Sequence, residues 1–117
     1  MKIINDNGLV PSYGMCNNDK VKKAFPESVY VWIHHSYDTG EQVELCEREN
    51  VQWRSDVFPD GSNMVPAPTA EEIIAECKKV RDIKVLEDGW MVDGEMKSIS
   101  TRNENLATAL LNFWFKI

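Results

Sequence analysis

The sequence predicts an α+β fold, an antiparallel sheet with two main helices packed on one face. Three stretches carry that expectation: "VYVWIHH" at 29–35, "TAEEIIAECKKV" at 69–80 and "NENLATALLNFWFK" at 103–116. The first is β-branched and aromatic, as strands are. The other two place apolar residues at helical spacing behind polar caps. A chain of 117 residues with 43% hydrophobic content fits one domain, 1–117, with one packed core.

Residues 1–28 are turn-rich, with "NDNG" and "PSYG", and hold at most a short helix in "NNDKVKKAF". Asn17 or Asn18 would cap it, Val21, Ala24 and Phe25 would share its inner face, and Pro26 would end it. Residues 29–55 read as a β-meander. In its first strand side chains alternate, so Val29, Val31, Ile33 and His35 face one way and Tyr30, Trp32 and His34 the other. Both faces are largely apolar, which suits a central strand. "SYDTGE" supplies the reversal, "QVELCE" the second strand, and "NVQWR" a third with Val51 and Trp53 inward. Residues 56–68 hold three of the five prolines and are expected to be a connecting loop.

Thr69 with Glu72 three residues later is a capping box, so a helix is expected over 69–80, with Ile73, Ile74, Cys77 and Val80 on one stripe. The Asp-Gly pairs at 88–89 and 93–94 predict two hairpin turns within 83–99, joining "IKVLE", "WMV" and "EMKSI". The last helix is expected over 103–116, capped by Thr101 or Asn103. Leu106, Leu110, Phe113 and Ile117 form its main stripe, and Leu111, Trp114 and Phe115 lie on the flanks. Those three are the candidate interface residues, for a second copy of the chain or another protein, because so broad an apolar arc exceeds what one sheet face covers.

Function classes fall away by composition. The net charge of −6 gives no overall attraction to nucleic acid or an anionic membrane. Apolar runs fall short of the ~20 residues that cross a bilayer, and the N-terminus lacks the apolar run of an export signal. The cytoplasm is therefore the expected compartment. Cys16, Cys46 and Cys77 are widely spaced, which predicts three reduced thiols rather than a disulfide or zinc-ribbon framework. Glycine patterns for a phosphate cradle are absent, so no cofactor is expected.

His34 and His35 are the only histidines. On a strand they point to opposite faces and cannot share one ion. A pairing of His34 with Asp38 across the turn lacks an embedded nucleophile, since Ser36 has no nucleophile-elbow context. Catalytic and metal residues are accordingly not assigned. An enzyme would need a pocket joining His34, His35 or Asp38 to a polar residue of the 56–68 loop. Trp32, Trp53, Trp90 and Trp114 each fall on a predicted element and are expected in the core.

The second half carries a resemblance. Pro66, Pro68, Thr69 and Ile73 open a helix, Trp90 sits in a hairpin, and Asn105, Leu106, Ala107, Ala109, Leu110 and Trp114 build the last helix. This layout over residues 65–116 resembles small phage and prophage proteins of gut bacteria. The resemblance implies a mobile-element origin and supplies neither an activity nor catalytic residues. The expected function is a small cytosolic accessory protein of phage type that acts by protein–protein interaction. A small enzyme and a structural or self-assembling protein are the alternatives.

Overall fold

The computed structural model describes residues 1–95 and 99–117. It has the predicted α+β character, with one difference in layout: the strands form two sheets. The first sheet contains β1 (Lys2–Ile4), β2 (Tyr30–Tyr37), β3 (Gly40–Glu47) and β4 (Met64–Ala67), in the order β1-β3-β2-β4. The second contains β5 (Val80–Leu86), β6 (Gly89–Gly94) and β7 (Ser100–Asn103), in that order. The helices are α1 (Tyr13–Cys16), α2 (Asp19–Ala24), α3 (Ala70–Glu76) and α4 (Leu106–Lys116).

β2 is central, as its two apolar faces predict: it pairs antiparallel with β3 and with β4, and Val31, Trp32 and Ile33 are buried. The expected third meander strand, "NVQWR" at 50–54, instead falls on a 3-10 helix, Arg48–Trp53, and its C-cap Arg54. Sheet order explains the correction. The free edge of β3 is taken by β1, which runs parallel to it, so no edge remains for "NVQWR". A three-residue parallel strand has too few residues to show periodicity, so β1 was not legible in residues 1–28. The 56–68 loop likewise contains β4. Pro66 is tolerated there because β4 is an edge strand, where one N–H is not needed.

Two cores result. One lies between the first sheet and the segment leading into α1, and contains Val10, Cys16, Trp32, Val43, Leu45, Val65 and Ala67. The Trp32 indole N–H donates to the Pro11 carbonyl at 3.0 Å, so this large side chain is buried with its polar atom satisfied. The other core joins α2, α3 and α4 to the inner face of the second sheet, through Val21, Phe25, Ile73, Val92, Leu110, Leu111, Phe113 and Trp114. α4 lies across β6 and β7, and α3 packs on α4. The extents of 46 × 26 × 20 Å accommodate two cores rather than the single one expected.

Local capping follows the sequence. Asn18 caps α2 by accepting from the Lys20 amide, and Thr69 caps α3 in a complete capping box. α3 ends at Glu76, short of the expected residue 80, because Val80 is already paired in β5. Ile74 is exposed, against the expected stripe, while Ile73 and Cys77 are buried. α4 starts later than expected and is capped by Asn105, whose side chain accepts from the Thr108 amide. Thr101 and Asn103, the expected caps, are in β7. The Thr101 hydroxyl donates to the Ala109 carbonyl at 2.6 Å, and the Asn103 side chain accepts from the Asn105 amide at 2.9 Å.

β5 is joined to β6 by the turn Glu87–Asp88, so the Asp-Gly pair at 88–89 straddles the end of that turn and Gly89, at φ +155°, opens β6 opposite Leu86. A Cβ there would stand 2.5 Å from the Asn103 carbonyl oxygen, so glycine is required twice over. The pair at 93–94 is not a turn: it lies within β6. Gly94 is needed for a different reason, because a Cβ would stand 2.7 Å from the Phe113 ring. The third strand is therefore β7 rather than "EMKSI", of which residues 96–98 lie outside the described residues.

Candidate functional site

His34 and His35 project to opposite sides of β2, as alternation requires. The His34 ring stacks on Tyr13 at 5.7 Å, and its Nε2 lies 3.5 Å from a Glu41 carboxylate oxygen. The partner expected across the turn, Asp38, is thus replaced by Glu41 at the start of β3. His35 stacks on Tyr37 at 5.8 Å, and its Nε2 lies 3.3 Å from Asp56 Oδ2.

Around His35 the chain assembles a charge network. β3 places Glu44 opposite Ile33, two residues from His35 on the same face of β2. Arg54, directly after the 3-10 helix, extends its guanidinium between Glu44 and Asp56. Nη1 and Nη2 donate to the two Glu44 oxygens, both at 2.8 Å. Nε donates to Asp56 Oδ1 at 2.9 Å, and Nη2 also donates to Asp56 Oδ2 at 2.7 Å. Such fork-to-carboxylate geometry is what makes arginine pairs strong.

The loop that carries Asp56 is held by Asn63, which is buried. Its side-chain amide donates to the carbonyls of His34 and Asp56, and its oxygen accepts from the Phe58 amide at 2.9 Å. Its own carbonyl accepts from the His34 amide at 2.8 Å. The ions are therefore anchored to both the sheet and the loop.

The electrostatics follow from the geometry. Hydrogen bonds from Arg54 hold Asp56 at a pKa of about 2 and depress Glu44. The same bonds raise Arg54 above its ordinary value. A carboxylate held that low is a poor proton acceptor near neutrality, so Asp56 is not itself poised as a general base. The contact between His35 and a residue of the 56–68 loop meets one condition for the enzyme alternative. Neither Ser36, on the opposite side of β2, nor Asp38 completes it.

One exposed aromatic side chain touches this network and two more lie beside its residues in the chain. Tyr37 is stacked on His35, Trp53 precedes Arg54, and Phe58 follows Asp56 by two residues. They are 54%, 80% and 57% exposed. Trp53 was expected in the core, as were Trp32, Trp90 and Trp114. Trp32 and Trp114 are buried and Trp90 is half-buried. The 3-10 turn directs Trp53 outward where a strand would have directed it in.

The flank of α4 was the sequence-based candidate surface. Leu111 is fully buried and Trp114 nearly so. α2 supplies the cover, with the Phe25 ring 5.5 Å from Trp114 and Lys20 Nζ 4.3 Å above the indole. Phe115 is half-buried and packs on Trp114 at 5.5 Å. Of the three residues, it alone retains appreciable surface.

Cys16, Cys46 and Cys77 are free thiols. Burial pushes the Cys16 thiol up to about 12, which makes it inert as a nucleophile.

Sequence reasoning named His35 but missed Arg54 and Asp56. The available signal was "QWRSDVF", where Arg and Asp two residues apart are bracketed by aromatic residues in an otherwise polar segment.

No known family model matches the chain, and comparison with curated proteins and with solved structures found no significant match.

Proposed function

We propose that the chain acts by binding another protein, through the face built around Arg54. The observation that supports this reading is an anchored charge network with exposed Tyr37 stacked on its His35 and exposed Trp53 and Phe58 within two positions of Arg54 and Asp56 in the chain. Scattered single apolar residues on a surface carry no meaning, but Tyr, Trp and Arg gathered at one place are the composition of binding hot spots. Every charge of the network is hydrogen-bonded within the chain, so a partner covering it meets fixed charges with one net negative charge to match. The rigid rings provide contact area at small entropic cost.

This reading takes the chain as a small accessory protein of phage type working in the cytosol, in line with the resemblance of residues 65–116. The test is a pull-down from host lysate with the parent and with Trp53→Ala and Tyr37→Ala. One protein should be retained by the parent in near-equimolar amount and lost with either variant, while circular dichroism of all three is unchanged. Equal capture by parent and variants overturns the assignment of the face. Absence of any equimolar partner overturns the function.

A further inference from the structure

We propose that His35, Glu44 and Asp56 form a binding site for one first-row divalent metal ion of the zinc type, which enters in exchange with the Arg54 guanidinium. The proposal does not rest on the protein-binding reading. One ligand atom from each of the three residues lies within 4.8 Å of the other two. Zinc bound tetrahedrally at about 2.0–2.1 Å requires its ligands to be about 3.3–3.4 Å apart. His35 Nε2 and Asp56 Oδ2 already stand at 3.3 Å.

The site is built rather than incidental. His35 and Glu44 come from paired strands, and the His35 side chain is only 8% exposed. Asp56 comes from the loop that Asn63 ties to β2. The position a cation would take is marked by a cation: Arg54 Nη2 lies 2.8 Å from Glu44 Oε1 and 2.7 Å from Asp56 Oδ2. Charge favours the exchange. Two carboxylates around one guanidinium leave one net negative charge beside the imidazole, and a divalent ion cancels both. Arginine has a long stem and can carry its head into solvent.

Ligand type selects the metal. One imidazole nitrogen with two carboxylates suits zinc and its first-row neighbours, whereas magnesium and calcium take all-oxygen sets. Three protein ligands leave a fourth position for water or for a donor from a bound molecule.

The test titrates zinc, with magnesium as comparison, into the full chain purified without a histidine tag and stripped of metal, in a Cys46→Ser background. Cobalt absorption in the visible range reads coordination geometry. The expected result is saturable binding of one zinc per chain and a tetrahedral cobalt spectrum, with magnesium at least about tenfold weaker. His35→Gln should weaken zinc at least about tenfold, since even outer-shell changes cost that much. His34→Gln, on the other face of β2, should leave binding unchanged. Arg54→Met should bind more tightly than the parent, because a competing cation is gone. Lack of one-to-one zinc binding by the parent overturns the proposal, as does equal binding by parent and His35→Gln. If Arg54→Met does not fold, parent against His35→Gln decides alone.

Discussion

The two sheets are stabilised by different physics. The second sheet is held from one side by α4, which buries Leu110, Leu111 and Phe113 against Val92, with Gly94 cut back to admit the Phe113 ring. The first sheet has its own apolar core around Trp32, and on its other face, where Val31 and Ile33 are also buried, polar ties are added: Arg54 to Glu44 and Asp56, and Asn63 to His34 and Asp56. Arg48 adds another, donating from Nε to the Ser28 carbonyl at 2.6 Å and from Nη2 to the Ser28 hydroxyl at 3.0 Å. Hydrophobic burial is indifferent to pH and scales with area, whereas ion pairs respond to both proton and salt. The half that carries the exposed aromatics is thus the half whose surface structure responds to solution conditions.

The largest effect should come from the apolar half. Phe113→Ala removes a fully buried ring and should cost about 3–5 kcal/mol, measured by urea unfolding. A loss under about 1 kcal/mol would mean that the α4 core is loosely packed.

Next comes the polar half. Arg54→Met leaves Glu44 and Asp56 facing each other without their shared donor and should cost about 1–3 kcal/mol near neutral pH. Its signature is acid dependence. Asp56 has a depressed pKa, so its contribution is present above the ordinary carboxylate range near 4 and is lost as pH falls toward about 2. The parent should lose stability through that window, and Arg54→Met should lose less. Parallel stability–pH curves for the two would break the contrast between the halves.

The smallest effect is a local one. Thr69→Ala removes the capping hydroxyl of α3 and should lower stability by about 1 kcal/mol without altering binding at the Arg54 face. An unchanged melting midpoint would show that the cap does not limit α3.

These cases also show what was legible in the sequence. Thr69 with Glu72, Asn18, and the β-branched and aromatic run "YVWIHH" declare themselves within a few consecutive residues, and each appears as expected. Parallel β1 does not, because its partner lies some forty residues away, Lys2 opposite Gln42. The second Asp-Gly pair misled for a similar reason. Gly94 answers to the Phe113 ring of another element, and nothing near it in sequence reveals that. His35, Glu44, Arg54 and Asp56 follow no spacing rule, since the strand pairing and a 3-10 turn bring them together. The surface expected on α4 failed to anticipate α2, whose Phe25 and Lys20 cover Trp114.

Asn105 has a consequence for how the chain reaches this structure. Besides capping α4, its side-chain amide donates to the carbonyls of Gly8 at 2.9 Å and Val10 at 3.3 Å, across sequence separations of 97 and 95 residues. Closing so long a loop is opposed by chain entropy that no single hydrogen bond repays. The tie is therefore favourable only where other contacts, such as the burial of Val10 in the first core and of α4 in the second, already hold the two segments close. It joins the first sheet's core to the last helix without driving their approach.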